Sequence, residues 1–348
     1  MEKTRIIILI IIACFFILPP AAAQKFSHAD KYVGYISKQQ VKVTKKFLDY
    51  NKAISYPYTK KSPKKNEKVR RRLADELATA KANIDSMPSF KKDSAYKDSA
   101  LSYINQCSAL LDNDYKKVDN LQDAADQSFD NMQSLFLGKE SVIQKLKKIN
   151  EHFHQLTIKF VAAYKVKPEK SKYETDKKIN DIIDAGSYYK PVYLIFFKSY
   201  KQETDLQNAI DRKDDNDFKK ARKDLSKTSE IGQNGLDTIK AYKNDNSLVT
   251  ADKKLLEFYE KEADDKIDPV EDYFSATNDF EDVKKTFDKR PGHSGKEVSA
   301  YKKDVKVYNK AIKKYNKTMS SVYKKKKSLL KKWNNTAHKF INKHMPSL

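Results

Sequence analysis

Six histidines, two cysteines and 47 acidic residues are this chain's raw material for chemistry, and their spacing assembles none of it into a reaction. His152 and His154 lie two apart, so on a helix they point to different sides and make a poor metal pair. His338 and His344 fall in the last two turns of a lysine-rich helical stretch and read as solvated. Asp214-Asp215 and Asp264-Asp265 supply paired carboxylates, which acid–base work requires, but among so many lysines they read as i,i+4 ion pairs. The chain contains no HExxH, no CxxC, no Gly-Lys-Ser/Thr phosphate loop and no GxSxG. Its seven glycines leave little material for such loops. No catalytic, cofactor-binding or metal-binding residue is expected, and the chain reads as a non-enzyme. Cys107 lies among Ile104, Leu110 and Leu111 and reads as a small core residue.

Lys324-Lys325-Lys326-Lys327 resembles a basic patch, yet four consecutive helical residues point all round the helix. Lys326 also falls on an apolar seam, where its stem snorkels along the core or the bundle opens. Tyr50-Asn51, Tyr308-Asn309 and Tyr315-Asn316 set an amphipathic ring beside an amide, and packing with the hydroxyl at the rim explains them. Asp85-Ser86-Met87, Asp93-Ser94-Ala95, Asp98-Ser99-Ala100 and Asp237-Thr238-Ile239 fit an O-glycosylation pattern of some bacterial periplasms.

The elements that would position these residues are helices. Val142, Leu146, Ile149, Phe153, Leu156, Phe160 and Ala163 are spaced 4-3-4-3-4-3. Tyr301, Val305, Tyr308, Ile312, Tyr315, Met319 and Val322 repeat that spacing, continued by Lys326, Leu329, Trp333, Thr336 and Phe340. Such steps keep residues on one helix face, an apolar stripe that must pack on other helices. Phe153 and Phe160 share the register of Trp333 and Phe340, which points to a duplicated scaffold. Asp98-Ser99-Ala100-Leu101 resembles Asp245-Asn246-Ser247-Leu248, each followed by a Leu-Leu pair, Leu110-Leu111 and Leu255-Leu256. The expected fold is all-α: two tandem long-helix bundles with coiled-coil-like heptad seams, 24–166 and 187–348, joined by a connection over 167–186.

Within that frame, helices are expected over 29–56 and 67–87, and from Ala100 to about Leu137. Gly138 either breaks the last of these or lets it run on to Tyr164. A short helix, Lys177 to Ala185, ends at Gly186. Val192 to Phe197 is the most apolar run outside the leader, and with no other strand candidate to pair with it reads as a buried helix within 187–211. Further helices cover 215–241 and the stretch from Ser247, which Pro269 restarts or kinks. After the turn Arg290-Pro291-Gly292-His293, a final helix runs from about Lys296 to Lys343.

The N-terminus carries an address. Lys3 and Arg5 precede the apolar run Ile6 to Leu18, then Pro19-Pro20 and Ala21-Ala22-Ala23. This is the pattern of a secretory signal peptide over 1–23, with Gln24 the expected first mature residue. The run is short for an anchor, so no transmembrane segment is expected in the mature chain. Ile11-Ile12-Ala13-Cys14 offers an alternative, a lipobox in which Cys14 carries a lipid anchor. Charged residues make up 34% of the chain and the formal net charge is +23, but only seven of 70 basic residues are arginine. Lysine is a hydrated point charge, so the excess suggests diffuse attraction to polyanions and no sequence-specific nucleic acid.

Several stretches carry a family resemblance: Val192 to Glu203, Asn244 to Leu248, Tyr308-Asn309, Tyr315-Asn316-Lys317, Trp333-Asn334 and Lys339-Phe340. In these the chain resembles an uncharacterised family of exported bacterial surface proteins, also found in spirochaetes. The resemblance implies envelope exposure and brings no site residues with it. The functional expectation is an exported helical protein of the bacterial periplasm or cell surface, acting as a non-enzymatic binding or scaffold module. The alternative is a lysine-rich binder of anionic envelope polymers or lipid headgroups. The expected partner is an envelope protein or an anionic polymer.

Overall fold

The computed structural model describes residues 26–56, 62–166 and 171–345, so the leader, Cys14 and the cleavage site lie outside the described residues. Among the described residues the regular structure is helical, with two isolated β-bridges in turns and no strand. The helices are α1 (Ala29–Ser55), α2 (Ser62–Asp85), α3 (Ala95–Ala109), α4 (Lys116–Ala124), α5 (Phe129–Ala163), α6 (Ser171–Arg212), α7 (Asp215–Asp237), α8 (Ser247–Lys261), α9 (Asp268–Asp288) and α10 (Gly295–His344). A π-turn, Leu110–Tyr115, carries α3 into α4, and a second, Glu262–Lys266, carries α8 into α9. The buried apolar side chains form one continuous cluster. No helix among the described residues is long and apolar enough to cross a membrane.

Local chemistry sets the helix starts. The Ser128 hydroxyl accepts from the Asn131 N–H at 3.1 Å, and Asp214 accepts from the Asp217 N–H at 2.9 Å. Ser294 and Glu297 form a reciprocal capping box at the head of α10. Pro269 falls in the first turn of α9, where its missing N–H costs no bond. Gly232 lets α7 approach its neighbours, since a Cβ there would sit 3.1 Å from both Ile195 and Leu256.

Two stretches of the chain carry matching landmarks. Lys91 and Lys92 adopt positive φ in a two-residue turn that bridges Phe90 to Asp93; Lys243 and Asn244 do the same between Tyr242 and Asp245. The bridge bonds are 3.1 and 2.8 Å in both turns. Asp93 then accepts from the Ala95 N–H and Asp245 from the Ser247 N–H. The helix that follows is 15 residues long in each case and ends in a π-turn. Phe160 packs against Phe90, Tyr32 and Tyr164, while Phe340 packs against Tyr242, Tyr188 and His344. Asp93, rather than Asp98, therefore makes the turn and cap bonds that Asp245 makes. Leu110-Leu111 opens the first π-turn, and Glu262-Ala263, not Leu255-Leu256, opens the second.

Three expected boundaries move. Gly186 does not end a short helix: α6 runs unbroken through Gly186 and Pro191, taking in most of the expected 167–186 connection. Pro191 is tolerated because it removes one bond from a helix of 42 residues held on several sides. Of the two readings of Gly138 the second holds: α5 runs through it to Ala163, and the break lies earlier, at 125–128, where the Ser128 cap starts that helix.

The hairpin of α9 and α10 outruns that of α4 and α5. No residue of α9 beyond Thr277, and none of α10 before Val322, is buried. Out there Phe280 stacks on Tyr308 and Phe287 on Tyr301, so the two helices hold only each other. The pair projects from the core as a two-helix arm.

Candidate functional site

A buried polar cluster occupies the interior between α6, α7, α8 and α10. Glu203 is 4% exposed and pairs with the Lys326 ammonium, whose side chain is 12% exposed. The bundle does not open at Lys326; the stem runs inward and the charge finds a carboxylate. Glu262, on the second π-turn, and Asp252, on α8, are 2% and 0% exposed. Neither oxygen of Asp252 has a hydrogen-bond partner, nor does Oε2 of Glu262. The Tyr259 hydroxyl, the Ser199 and Ser229 hydroxyls and the Trp333 indole N–H are also buried without partners.

Burial dominates the electrostatics. It raises Asp252 far above the usual carboxylate range. Burial, reinforced by the Glu203 charge, pushes Glu262 up to about 8 against the pull of Lys326 and Lys266. Glu203 is raised by burial, which Lys326 only partly offsets. Burial and then the Glu203, Glu262, Tyr200 and Asp252 charges keep the Tyr259 hydroxyl protonated. At neutral pH the cluster therefore holds one ion pair, Glu203–Lys326, beside two neutral carboxylic acids. Arg222 supports the π-turn beneath it, donating to the carbonyls of Ala263 and, at 2.7 Å, Asp264, and to Asp268 at 2.5 Å. These carbonyls are the groups a π-turn frees from the helical ladder.

Counting from the shared landmarks shows what is unusual here. Asp252 and Ala100 are each the sixth residue of their helix, Tyr259 and Cys107 each the thirteenth, and Glu262 and Leu110 each open a π-turn. Glu203 lies as far beyond Tyr188 as Phe47 beyond Tyr32, and Lys326 as far before Phe340 as Leu146 before Phe160. Ala100, Cys107, Leu110, Phe47 and Leu146 are buried and apolar. The most deeply buried polar groups of α1 and α5 are bonded. Asn150 accepts from Gln40, Thr44 and Tyr103, Tyr50 donates to Asp119, and Asn51 donates to Tyr115.

An enclosed apolar recess lies between α1, α5 and α6. It encloses about 580 Å³ of space including its mouth, with Ile54, Phe136, Ile143, Ile182 and Met345 in its walls. Lys139 donates from there to the Ile54 carbonyl at 2.6 Å. Burial pushes its ammonium down to about 8, with Asp119 pulling the other way. The lysine caps the end of α1 and is engaged in doing so.

The surface of α10 is the third feature. From Val305 to Leu348 the chain carries thirteen lysines and no acidic residue. Lys306, Lys310, Lys313, Lys317, Lys324, Lys327 and Lys331 follow one another at steps of four and three, with Ser320 completing the pattern, and all are exposed. This rail is opposite the apolar seam and about 38 Å long at 1.5 Å per residue. Among the described residues none of the seven forms an ion pair; the paired lysines of α10 are Lys314 with Asp272, Lys326 with Glu203 and Lys343 with Asp245. Like charges at such spacing cost roughly 0.2–0.5 kcal/mol per pair. Helix α7 handles its lysines differently, setting Lys219 against Asp215 and Lys220 against Asp224.

The residues singled out in the sequence fall as follows. His344 is not solvated: it is 8% exposed, 2.8 Å from Asp245, with its ring against Phe340 and Tyr242. His338 is half-buried and stacks on Tyr56. Burial raises Asp245, but bonds from Ser247, His344 and Lys343 outweigh it and hold the carboxyl below its usual range. Trp333 is fully buried against Phe196. Burial lifts the Cys107 thiol to about 12, so it stays an unreactive core residue. Asp214 caps α7, Asp215 makes an i,i+4 pair, and no group of metal-ligating side chains assembles among the described residues.

No family model, no curated protein and no solved structure matches this chain.

Proposed function

We propose that this chain is an exported, non-enzymatic binding or scaffold module of the bacterial cell envelope, built from two copies of one helical unit. The paired bridge turns, the equal length of α3 and α8 and the repeated π-turns support the duplication, as do the matching surroundings of Phe160 and Phe340. The leader-like residues 1–23 and the resemblance to exported surface proteins support the location. The observation that carries the binding reading is the arm. One of two otherwise parallel hairpins is extended by helix that buries nothing in the core, so its contribution is surface. A second reading, the lysine-rich binder of anionic polymers or headgroups, is favoured by the acid-free run of α10.

The test is an arm deletion in which residues 281–304 are replaced by a short turn, below the level where Phe280 meets Tyr308. The shortened protein should keep its helical circular dichroism and melting temperature but lose retention on isolated envelopes. Undiminished retention would remove the arm from the function. Intact mass of the native protein reads the leader in the same material: a chain beginning at Gln24 supports simple export, and a lipid on Cys14 refutes it.

A further inference from the structure

We infer that the outer face of α10 binds an extended acidic polysaccharide, held along the lysine rail and gripped on one flank by Asn309, Asn316 and Tyr323. The inference deepens the binding-module reading and rests on it. Its first support is the concentration of charge. Thirteen of the chain's basic residues fall on one acid-free segment, while α7 pairs two of its four lysines with its own acids. Solubility asks for scattered charge of both signs, not a single-sign line. The rail's mutual repulsion is relieved when an anion lies along it.

The second support is geometry. Successive rail positions are about 5 Å apart along the helix axis, on a single rod, with one gap of about 10 Å where Ser320 stands between Lys317 and Lys324. That pitch suits a polymer with one anion per ring-sized monomer, lying lengthwise. The third is chemistry on the flank. Asn309, Asn316 and Tyr323 recur at intervals of seven beside the rail, and all three are exposed. Amides both donate to and accept from sugar hydroxyls. Tyr323 is 59% exposed, and the Lys327 ammonium lies 5.9 Å from its ring centre. An open aromatic face with a cation beside it suits the apolar face of an anionic sugar.

Other polyanions fit less well. The rail contains no arginine, the residue that grips phosphate in a bidentate fork. Single-stranded nucleic acid is held by successive aromatic platforms, and this flank has one ring. An anionic bilayer is bound by charge together with inserted apolar residues. Here the apolar seam of α10 faces α9 and the bundle, and of its large apolar side chains only Val307 and Tyr323 stand exposed.

The experiment uses the full mature chain and end-labelled polygalacturonate, read by fluorescence anisotropy across a salt series. Lys310→Gln, Lys313→Gln, Lys317→Gln and Lys324→Gln combined should weaken binding at least about tenfold and flatten the log–log salt dependence by about three, nearly one per charge removed. An equal change in net charge elsewhere, Lys38→Gln, Lys42→Gln, Lys81→Gln and Lys254→Gln, should have little effect. Tyr323→Ala should weaken polygalacturonate but not polyphosphate of matched length. Oligomers covering less than half the rail should bind poorly. Equal losses in the two quadruple variants would overturn the site. Tighter rail-dependent binding of anionic vesicles or single-stranded DNA would overturn the partner. Envelope retention by the rail variant, with polymer binding lost, would refute the polysaccharide while leaving the module reading intact. Loss of retention in the arm deletion with polymer binding kept would leave the rail standing.

Discussion

Replacing Glu262 by glutamine should make the protein more stable, and increasingly so as the pH rises. The carboxyl is 2% exposed, with one oxygen unpartnered, and burial followed by the Glu203 charge moves it from 4.5 to about 8. In the unfolded chain it ionises near 4.5; in the fold it stays protonated until about 8. A group raised in this way imposes no penalty below its unfolded value. The penalty grows through the interval between the two values and is constant above the folded one. At 1.36 kcal/mol per pH unit, the interval from 4.5 to 7 opposes folding by roughly 3 kcal/mol, and the interval to about 8 by roughly 5 kcal/mol at most. Glutamine keeps the shape and cannot ionise. The difference in unfolding free energy between Glu262→Gln and the parent should be near zero at pH 4.5 and should reach several kcal/mol at pH 8. Urea titrations followed by tryptophan emission measure it directly, because Trp333 is the only tryptophan and lies fully buried against the same interior. Parallel stability curves for the two proteins between pH 5 and pH 8 would show that Glu262 is ionised in the fold, and the reasoning about the cluster would fail.

Two further substitutions probe the same half of the molecule. Trp333→Ala removes a fully buried ring that packs on Phe196 and should cost roughly 3–5 kcal/mol, read as a lower melting temperature; unchanged stability would contradict the packing. Asp245→Asn should flatten the acid limb of the stability curve. A carboxyl held low by Ser247, His344 and Lys343 contributes stability above its unfolded value of 3.8 that disappears as the pH falls through the folded one. An acid limb identical to the parent's would remove Asp245 from that role.

The helices were legible because their apolar residues recur with the helical period over long runs. The seams of α5 and α10 and the extent of α1 follow directly from spacing. Chain breaks were harder to read, since a residue's propensity acts against its surroundings. Gly138, Gly186 and Pro191 look like punctuation in one dimension, yet each sits inside a helix that tertiary packing holds together. The π-turns leave no mark on the sequence, because inserting one residue into a helical turn requires no particular side chain. Leu110-Leu111 matches Leu255-Leu256 in sequence because that alignment is slipped by seven residues, two helical turns, which returns to the same helix face; counted from the bridge turns, the matching pair is Glu262-Ala263.

The buried cluster did leave a signal, of a kind that composition conceals. Leu248, Asp252, Leu255, Tyr259 and Glu262 are spaced 4-3-4-3, the same stripe pattern that marks the seams. Two of its five members are acids, at positions where spacing demands burial. In a chain with 47 acidic residues and a larger number of lysines, an acid is read first as half of a surface pair. Spacing and residue type then disagree, and spacing decides the location, because a helix cannot turn two side chains outward while burying their neighbours on the same face. Lys326 obeys the same logic on α10: it stands on the seam, so its charge had to find an interior partner, and Glu203 is that partner. Once one interior ion pair is required, a further carboxylate beside it must give up its charge, and Glu262 does so. The polar interior between α6, α7, α8 and α10 thus follows from three seam positions occupied by ionisable residues, Lys326 read as such from spacing and Asp252 and Glu262 masked by identity.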